Sequence, residues 1–199
     1  MYSSGEKVAW GKIRELGPEK ISASSGISFI NGLFMVRSLG MDFELDPASE
    51  TIRALSPQGG AILKKFSYFF NYMVLWWLVY AKGTPPSGRL VRPADLKGGD
   101  MFFRGTHTLP LDRLAQVYAR DAGKFLERAG ELGGSKREMG DAAAELMPVQ
   151  GFSPVDLILW LEDEEFPARA DLLLDASIEH ILPLDIIWCA TMLTTLAML

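Results

Sequence analysis

The sequence has very little cysteine and no apolar run long enough to span a membrane. Cys189 is its one cysteine, so a disulfide framework or a CxxC metal site cannot form within the chain. The two longest apolar stretches, 66–81 and 184–199, fall short of the ~20 residues that a membrane-spanning helix needs. We interpret both as buried core helices, with membrane association as the alternative.

The sequence also lacks a basic surplus and a recognisable export signal. Its formal net charge is −5, and residues 101–199 hold 16 of its 25 acidic residues. Nucleic acid is therefore excluded as a partner, because contacts between cations and phosphates dominate that affinity. Residues 1–16 show no apolar core behind a basic end, so we expect no signal peptide. With a single cysteine in the chain, the expected compartment is the cytoplasm.

The composition is that of an ordinary globular protein. Hydrophobic residues make up 48% of the chain and charged residues 23%, which is enough for a self-sufficient core at 199 residues. The sequence contains no internal repeat and no linker that would divide it. We therefore predict a single domain over residues 1–199.

Turn signals in the first half predict an antiparallel sheet. Asn31-Gly32 lies between two apolar runs, and both residues tolerate the positive φ of a type I′ hairpin turn. A second turn at 46–50 extends the pattern. The predicted four-stranded meander consists of strands 27–30, 33–38, 41–45 and 51–55.

Apolar spacing predicts the helices. Ser3 and Glu6 have capping-box spacing at the start of a first helix, which Gly17-Pro18 ends. The apolar segment 61–81 is the predicted central helix, after a turn at 56–60. We also predict one amphipathic helix over 111–132, a loop at 135–140, a strand at 145–149, a helical turn at 177–182 and a last helix over 184–198.

A second hairpin joins apolar packing to dense charge. The runs 155–162 and 170–175 flank an acidic turn that contains Glu164 and Glu165. If Trp160 lies opposite Leu172, the acids at 171 and 175 share a sheet face with leucines. The predicted fold class is α+β, an antiparallel β-meander and a C-terminal β-hairpin packed with apolar helices.

Several residues could carry chemistry, each with a plainer alternative. Glu164 and Glu165 could bind a hard metal or a cation or act as acid and base, or they could form a solvated turn. Asp175 could be an acid on an apolar face or the cap of the next helical turn. His107 could be a ligand or a proton carrier, or a surface histidine. The aromatic residues between 68 and 80 could line a pocket for a flat ligand such as a tetrapyrrole, or pack in the core.

A set of residues spread over most of the chain resembles the family catalogued as domain of unknown function 3786. The matching elements are Val36-Arg37-Ser38-Leu39-Gly40, the apolar helix at 63–80, Gly140-Asp141, Pro148, Asp163-Glu164-Glu165-Phe166-Pro167-Ala168 and Leu173-Leu174-Asp175-Ala176. The resemblance directs attention to Asp141, Glu164, Glu165, Phe166, Pro167 and Asp175.

The resemblance also implies an anaerobic setting. Members of the family are similar to proteins of anaerobic bacteria and archaea, and some are fused to a cysteine-rich iron–sulfur module. With one cysteine, this sequence predicts no cluster of its own, and its cofactor and metal, if it has any, are unknown.

Three functions compete at this point. The leading interpretation is a soluble, non-enzymatic accessory protein of anaerobic metabolism that binds a small molecule, a metal or a protein partner. The second is an enzyme whose carboxylates converge, with or without a divalent cation, at Asp141, Glu164, Glu165 and Asp175. The third is a structural subunit of an oligomer, and the sequence does not define the oligomeric state. No P-loop, GxSxG or HExxH pattern supports a specific enzyme class.

Overall fold

Two antiparallel sheets, with helices packed on them, form the architecture in a computed structural model that describes residues 4–199. The fold is α+β, as predicted. Helices α1 (Ser4–Leu16) and α2 (Pro18–Ser25) lead into the first sheet. The predicted capping residue Ser3 lies outside the described residues. Helix α2 was not predicted, because Gly17-Pro18 was interpreted only as the end of α1. Pro18 is instead an early residue of a new helix, a position where its missing N–H costs nothing.

The first sheet confirms the predicted meander. Strands β1 (Ser28–Ile30), β2 (Leu33–Ser38), β3 (Met41–Asp46) and β4 (Thr51–Ala54) pair in chain order. Asn31 has φ 51° and Gly32 has φ 85°, so the first turn has the left-handed backbone that its sequence indicates.

The long helix α3 (Pro57–Tyr80) crosses the middle of the molecule and packs against the meander, α1 and the last helix, α7 (Leu184–Ala197). It begins earlier than the predicted residue 61. The side chain of Ser56 accepts a hydrogen bond from the Gly59 amide, so the predicted turn at 56–60 is the cap and first turn of the helix. No helix within the described residues is long and apolar enough to cross a membrane.

The chain from 81 to 134 contains short helices that bring it to the second sheet: α4 (Gly99–Phe102), α5 (Leu111–Val117) and α6 (Ala122–Glu131). The prediction of one helix over 111–132 was wrong. The Asp121 carboxylate accepts a hydrogen bond from the Lys124 amide and caps α6, so the chain starts a new helix there. The Tyr118 hydroxyl in the break donates to the Met198 carbonyl at the end of α7.

The second sheet has the order β5-β9-β8-β7-β6. Its strands are β5 (Leu90–Val91), β6 (Ser135–Arg137), β7 (Ala142–Leu146), β8 (Val155–Trp160) and β9 (Arg169–Asp175). The two outer strands, β5 and β6, were not predicted, and 135–140 was wrongly interpreted as a loop. β5 has only two residues, and β6 has three polar, exposed ones, so neither shows the apolar alternation that reveals a strand. The strand predicted at 145–149 begins at Ala142 and ends at Leu146.

The predicted hairpin of β8 and β9 exists, but its predicted register was wrong. Trp160 pairs with Arg169 rather than with Leu172, which pairs with Leu157. The observed partner of Trp160 lies three residues from the predicted one. Because this shift is odd, every side chain of β9 lies on the opposite sheet face from the one predicted. The predicted register would have placed two acids on the apolar face, where an unpaired carboxylate is costly. The observed register puts leucines on that face instead.

A close backbone contact joins the two sheets. Gly40, in the turn after β2, and Gly133, in the turn after α6, have φ 74° and 71°. A Cβ atom on Gly133 would lie 2.7 Å from the Gly40 Cα, so neither position has room for a side chain. The Ser38 hydroxyl donates to the Pro148 carbonyl, and the Leu39 amide donates to the Met147 carbonyl. The strand end at 36–40 is thus a joint between sheets.

Candidate functional site

The acidic turn of the second hairpin is ordered by one aspartate. Asp163 Oδ1 accepts hydrogen bonds of 2.8 Å from the amides of Glu165 and Phe166. These bonds lower the pKa of Asp163. The Glu164 and Glu165 side chains make no hydrogen bond or ion pair with any residue from 4 to 199, and both are exposed. Phe166 is 66% exposed, so the three side chains at this tip face solvent.

Asp141 fastens the base of the same turn. Its Oδ2 accepts from the Leu161 amide at 2.8 Å, and its own amide donates to the Leu159 carbonyl. The preceding Gly140 has φ 58°, and a Cβ there would meet the Leu159 carbonyl oxygen at 2.8 Å. The Gly-Asp pair therefore shapes the backbone beside β8.

Asp175 is the most heavily bonded of the predicted site residues. Its Oδ1 accepts from the Ser87 amide and hydroxyl and from the Ser177 amide, all at 2.9 Å, and its Oδ2 accepts from the Gly88 amide at 2.7 Å. Although burial opposes ionisation, these bonds together lower the pKa of Asp175 far below its usual value. The side chain is 4% exposed. It caps the helical turn at Ala176–His180, the alternative considered from the sequence.

His107 lies in an aromatic cluster away from these acids. Its ring stacks on Phe102 with a centroid distance of 4.4 Å and meets Trp188 of α7 edge to face at 4.7 Å. The Trp188 indole N–H is buried without a hydrogen-bond partner among the described residues.

The predicted acids occupy opposite ends of the hairpin. Asp141 and the tip residues lie beyond the Trp160 end of β8, whereas Asp175 is the last residue of β9. Six residue steps of about 3.3 Å along β9 separate the two ends by roughly 20 Å. Within residues 4–199, no group of three or more His, Cys, Asp or Glu side chains could hold a metal ion.

One buried acid was missed from the sequence. Asp156 of β8 is 2% exposed, and burial raises its pKa, with Glu145 adding to the rise and Arg137 opposing it. The Arg137 Nε lies 3.4 Å from Asp156 Oδ1, which is an ion pair without a hydrogen bond. Asp156 was hidden within an apolar run, and only the pairing of β7 with β8 places Glu145 opposite it.

A large cleft also escaped the sequence analysis. It has a volume of about 670 Å³ and lies between the first half of α3, the end of α6 and the end of α7. The residues that line it are mostly apolar: Met41, Ser56, Gln58, Ala61, Ile62, Lys65, Phe66, Arg128, Glu131, Leu132, Leu196, Ala197 and Leu199. The sequence signal was the spacing of the α3 residues, which follow one helix face, but the predicted start at 61 left Gln58 outside the helix.

Helix α3 is broken where it borders this cleft. Phe66 has φ −126° and ψ 28°, which are not helical values, and no proline is nearby to explain the break. The Lys65 Nζ lies 4.8 Å from the centroid of the Phe66 ring. The aromatic residues from 68 to 80 do not line this cleft, and several of them, such as Phe70 and Trp77, are buried in the core.

The far wall of the cleft contains a fixed ion pair. Arg128 Nη1 lies 2.7 Å from Glu131 Oε2. The Arg128 guanidinium also donates to the Ala197 carbonyl at the end of α7, at 3.1 and 2.7 Å. The guanidinium therefore holds the last turn of α7 against α6.

Comparisons with known proteins support the resemblance noted from the sequence. A family model described as domain of unknown function (DUF3786) matches residues 17–196, which confirms it. Comparison of the chain with curated proteins found no match, and comparison with solved structures found none.

Proposed function

Because the chain belongs to the family described as domain of unknown function (DUF3786), we propose its function from the geometry of its own residues: it binds a small organic molecule in the cleft beside α3. The observation that carries the proposal is the cleft itself. Its volume of about 670 Å³ falls within the range of roughly 300–1,000 Å³ that is typical of small-molecule sites.

The cleft lining suits a ligand with an apolar body. Ile62 and Phe66 of α3 face leucines of α6 and α7, including Leu132 and Leu196. A few polar groups lie among them, the pattern by which protein sites combine apolar burial with orientation. Arg128 ties the α6 wall to the end of α7, so these two walls are fixed before a ligand arrives.

This proposal keeps the leading interpretation of an accessory binding protein. The cytoplasmic location rests on the single cysteine, and the place in anaerobic metabolism rests on the family resemblance. The geometry gives less support to an enzyme, since the acids at 141 and 175 lie at opposite ends of the hairpin.

A second candidate function is docking of a basic protein partner at the hairpin tip. The observation in its favour is that Phe166 is 66% exposed directly after Glu164 and Glu165, whose carboxylates have no hydrogen-bond or ion-pair partner among residues 4–199. An exposed aromatic ring beside unpaired charge can bind a cationic side chain.

The test of the cleft uses N-phenyl-1-naphthylamine, an uncharged probe that fluoresces in apolar sites. The parent should bind it saturably. Ala61→Trp fills the cleft and should weaken binding at least about ten-fold, equivalent to about 1.4 kcal/mol. Ser67→Trp adds the same ring on the exposed side of α3, outside the cleft, and should bind as the parent does. No saturable binding by the parent, or equal binding by both variants, would overturn the proposal.

A further inference from the structure

We propose that the ligand of this cleft is an organic anion and that Lys65 binds its acid group. The inference rests on the proposed binding function and specifies the chemical class of the ligand. The argument starts from the three charged side chains that line the cleft, Lys65, Arg128 and Glu131.

Two of these charges neutralise each other. Arg128 and Glu131 are one turn apart on α6 and form an ion pair at 2.7 Å, and the guanidinium also bonds to the α7 backbone. Neither group needs a ligand to satisfy its charge. The remaining charge is that of Lys65, which has no carboxylate within ion-pair distance in residues 4–199. The lining therefore carries one uncompensated positive charge.

The position of Lys65 directs this charge to the cleft. Its ammonium lies 4.8 Å from the centre of the Phe66 ring, a cation–π distance, and both residues line the cleft. An ammonium group has three donors, and an aromatic face satisfies none of them as a hydrogen-bond acceptor would. Lys65 is exposed, so water supplies these acceptors in the free protein, and a carboxylate, sulfonate or phosphate in the cleft would replace water with charge-assisted hydrogen bonds.

The rest of the helix face defines the other end of the ligand. Gln58 and Lys65 are seven residues apart on one face of α3, a separation of about 10 Å along the helix axis. Ala61 and Ile62 lie between them and offer only apolar contact. The cleft thus favours an acid group near the break in α3 and an apolar body that extends toward Gln58.

Lys64 provides a matched control. It is the neighbouring lysine on the same helix, it is exposed, and it does not line the cleft. Substituting either lysine by glutamine removes the same charge from the protein. Only Lys65→Gln removes it from the cleft, so a difference between the variants cannot arise from net charge.

The experiment uses fluorescence titration of the full chain with two probes. One is 8-anilinonaphthalene-1-sulfonate, and the other is N-phenyl-1-naphthylamine, the same molecule without the sulfonate group. We expect Lys65→Gln to weaken binding of the sulfonate about five-fold or more while leaving the uncharged probe unchanged. Lys64→Gln should leave both unchanged, and Lys65→Arg should keep the sulfonate affinity close to the parent value.

The outcomes separate the two proposals. If the unsubstituted protein binds neither probe, the binding function itself is rejected. The anion inference alone would be rejected if the uncharged probe binds but Lys65→Gln and Lys64→Gln reduce the sulfonate affinity equally, or if neither reduces it. Thermal unfolding of each variant confirms that it is folded, which the exposure of both lysines leads us to expect.

Discussion

Replacing Asp175 by asparagine exchanges one carboxylate oxygen for an NH₂ group at a position that receives four hydrogen bonds. The asparagine oxygen can keep the three donors that now meet Oδ1. The new NH₂ group then faces the Gly88 amide, so one bond is lost and two donors oppose each other. A hydrogen bond to a charged group contributes about 1.5–3 kcal/mol.

The lower end of that range applies here. Ser87 and Gly88 are exposed, so their amides can turn to water when the acceptor is lost. We expect Asp175→Asn to lower the free energy of unfolding by about 1.5 kcal/mol and the melting temperature by about 3–6 °C. Asp171→Asn, on the same strand, is the control, because the Asp171 carboxylate has no hydrogen bond or ion pair within residues 4–199. That variant should stay within about 0.5 kcal/mol of the parent.

The dependence on pH gives a second check. The folded pKa of Asp175 lies below the unfolded value of about 3.9, so its contribution to stability is present above that pH and is lost as the pH falls further. The stability difference between parent and Asp175→Asn should therefore narrow below about pH 4. Urea unfolding followed by tryptophan fluorescence, at pH 7 and pH 3, measures both quantities. A variant as stable as the parent at pH 7, or a difference that grows in acid, would refute a structural role for this carboxylate.

Two further predictions concern the hairpin tip and the lone cysteine. Glu164→Gln and Glu165→Gln should leave the melting temperature unchanged or slightly raised, because neither carboxylate has a structural partner in the described chain and neighbouring like charges repel. A drop of several degrees in thermal unfolding would show that these carboxylates stabilise the fold. Burial raises the pKa of the Cys189 thiol to about 12, so labelling by a thiol reagent at pH 8 should be slow in the native protein and fast in urea. Rapid native labelling would contradict the burial of α7.

Local signals in the sequence were enough for the elements that depend on local chemistry. Asn31-Gly32 determines the first hairpin, because few other residue pairs adopt two successive left-handed conformations. The last helix was predictable because its apolar residues continue over four turns. Its buried threonines remain compatible with a core, since each of Thr191, Thr194 and Thr195 donates its hydroxyl to the carbonyl four residues earlier.

The candidate acids could be found from the sequence, but their roles could not. Asp163 and Asp175 were part of the same recognised pattern as Glu164 and Glu165. Only the folded chain shows that the two aspartates accept backbone hydrogen bonds while the two glutamates accept none in residues 4–199. The sequence does not distinguish a carboxylate that caps a turn from one that faces solvent.

The tertiary structure alone decided the register of the second hairpin, the contact between Gly40 and Gly133, and the cleft. Each depends on elements that are distant in the chain. Lys64 and Lys65 are equivalent in sequence, and only the packing of α6 and α7 against α3 gives one of them a cleft to face. The sequence by itself therefore determined the elements with strong local signals, such as the meander and the last helix, because those follow from short-range spacing and turn chemistry. The short strands β5 and β6 are defined only by their pairing with β9 and β7. The packing of the elements decided which side chains can meet a ligand, because that choice follows from contacts between residues far apart in the chain.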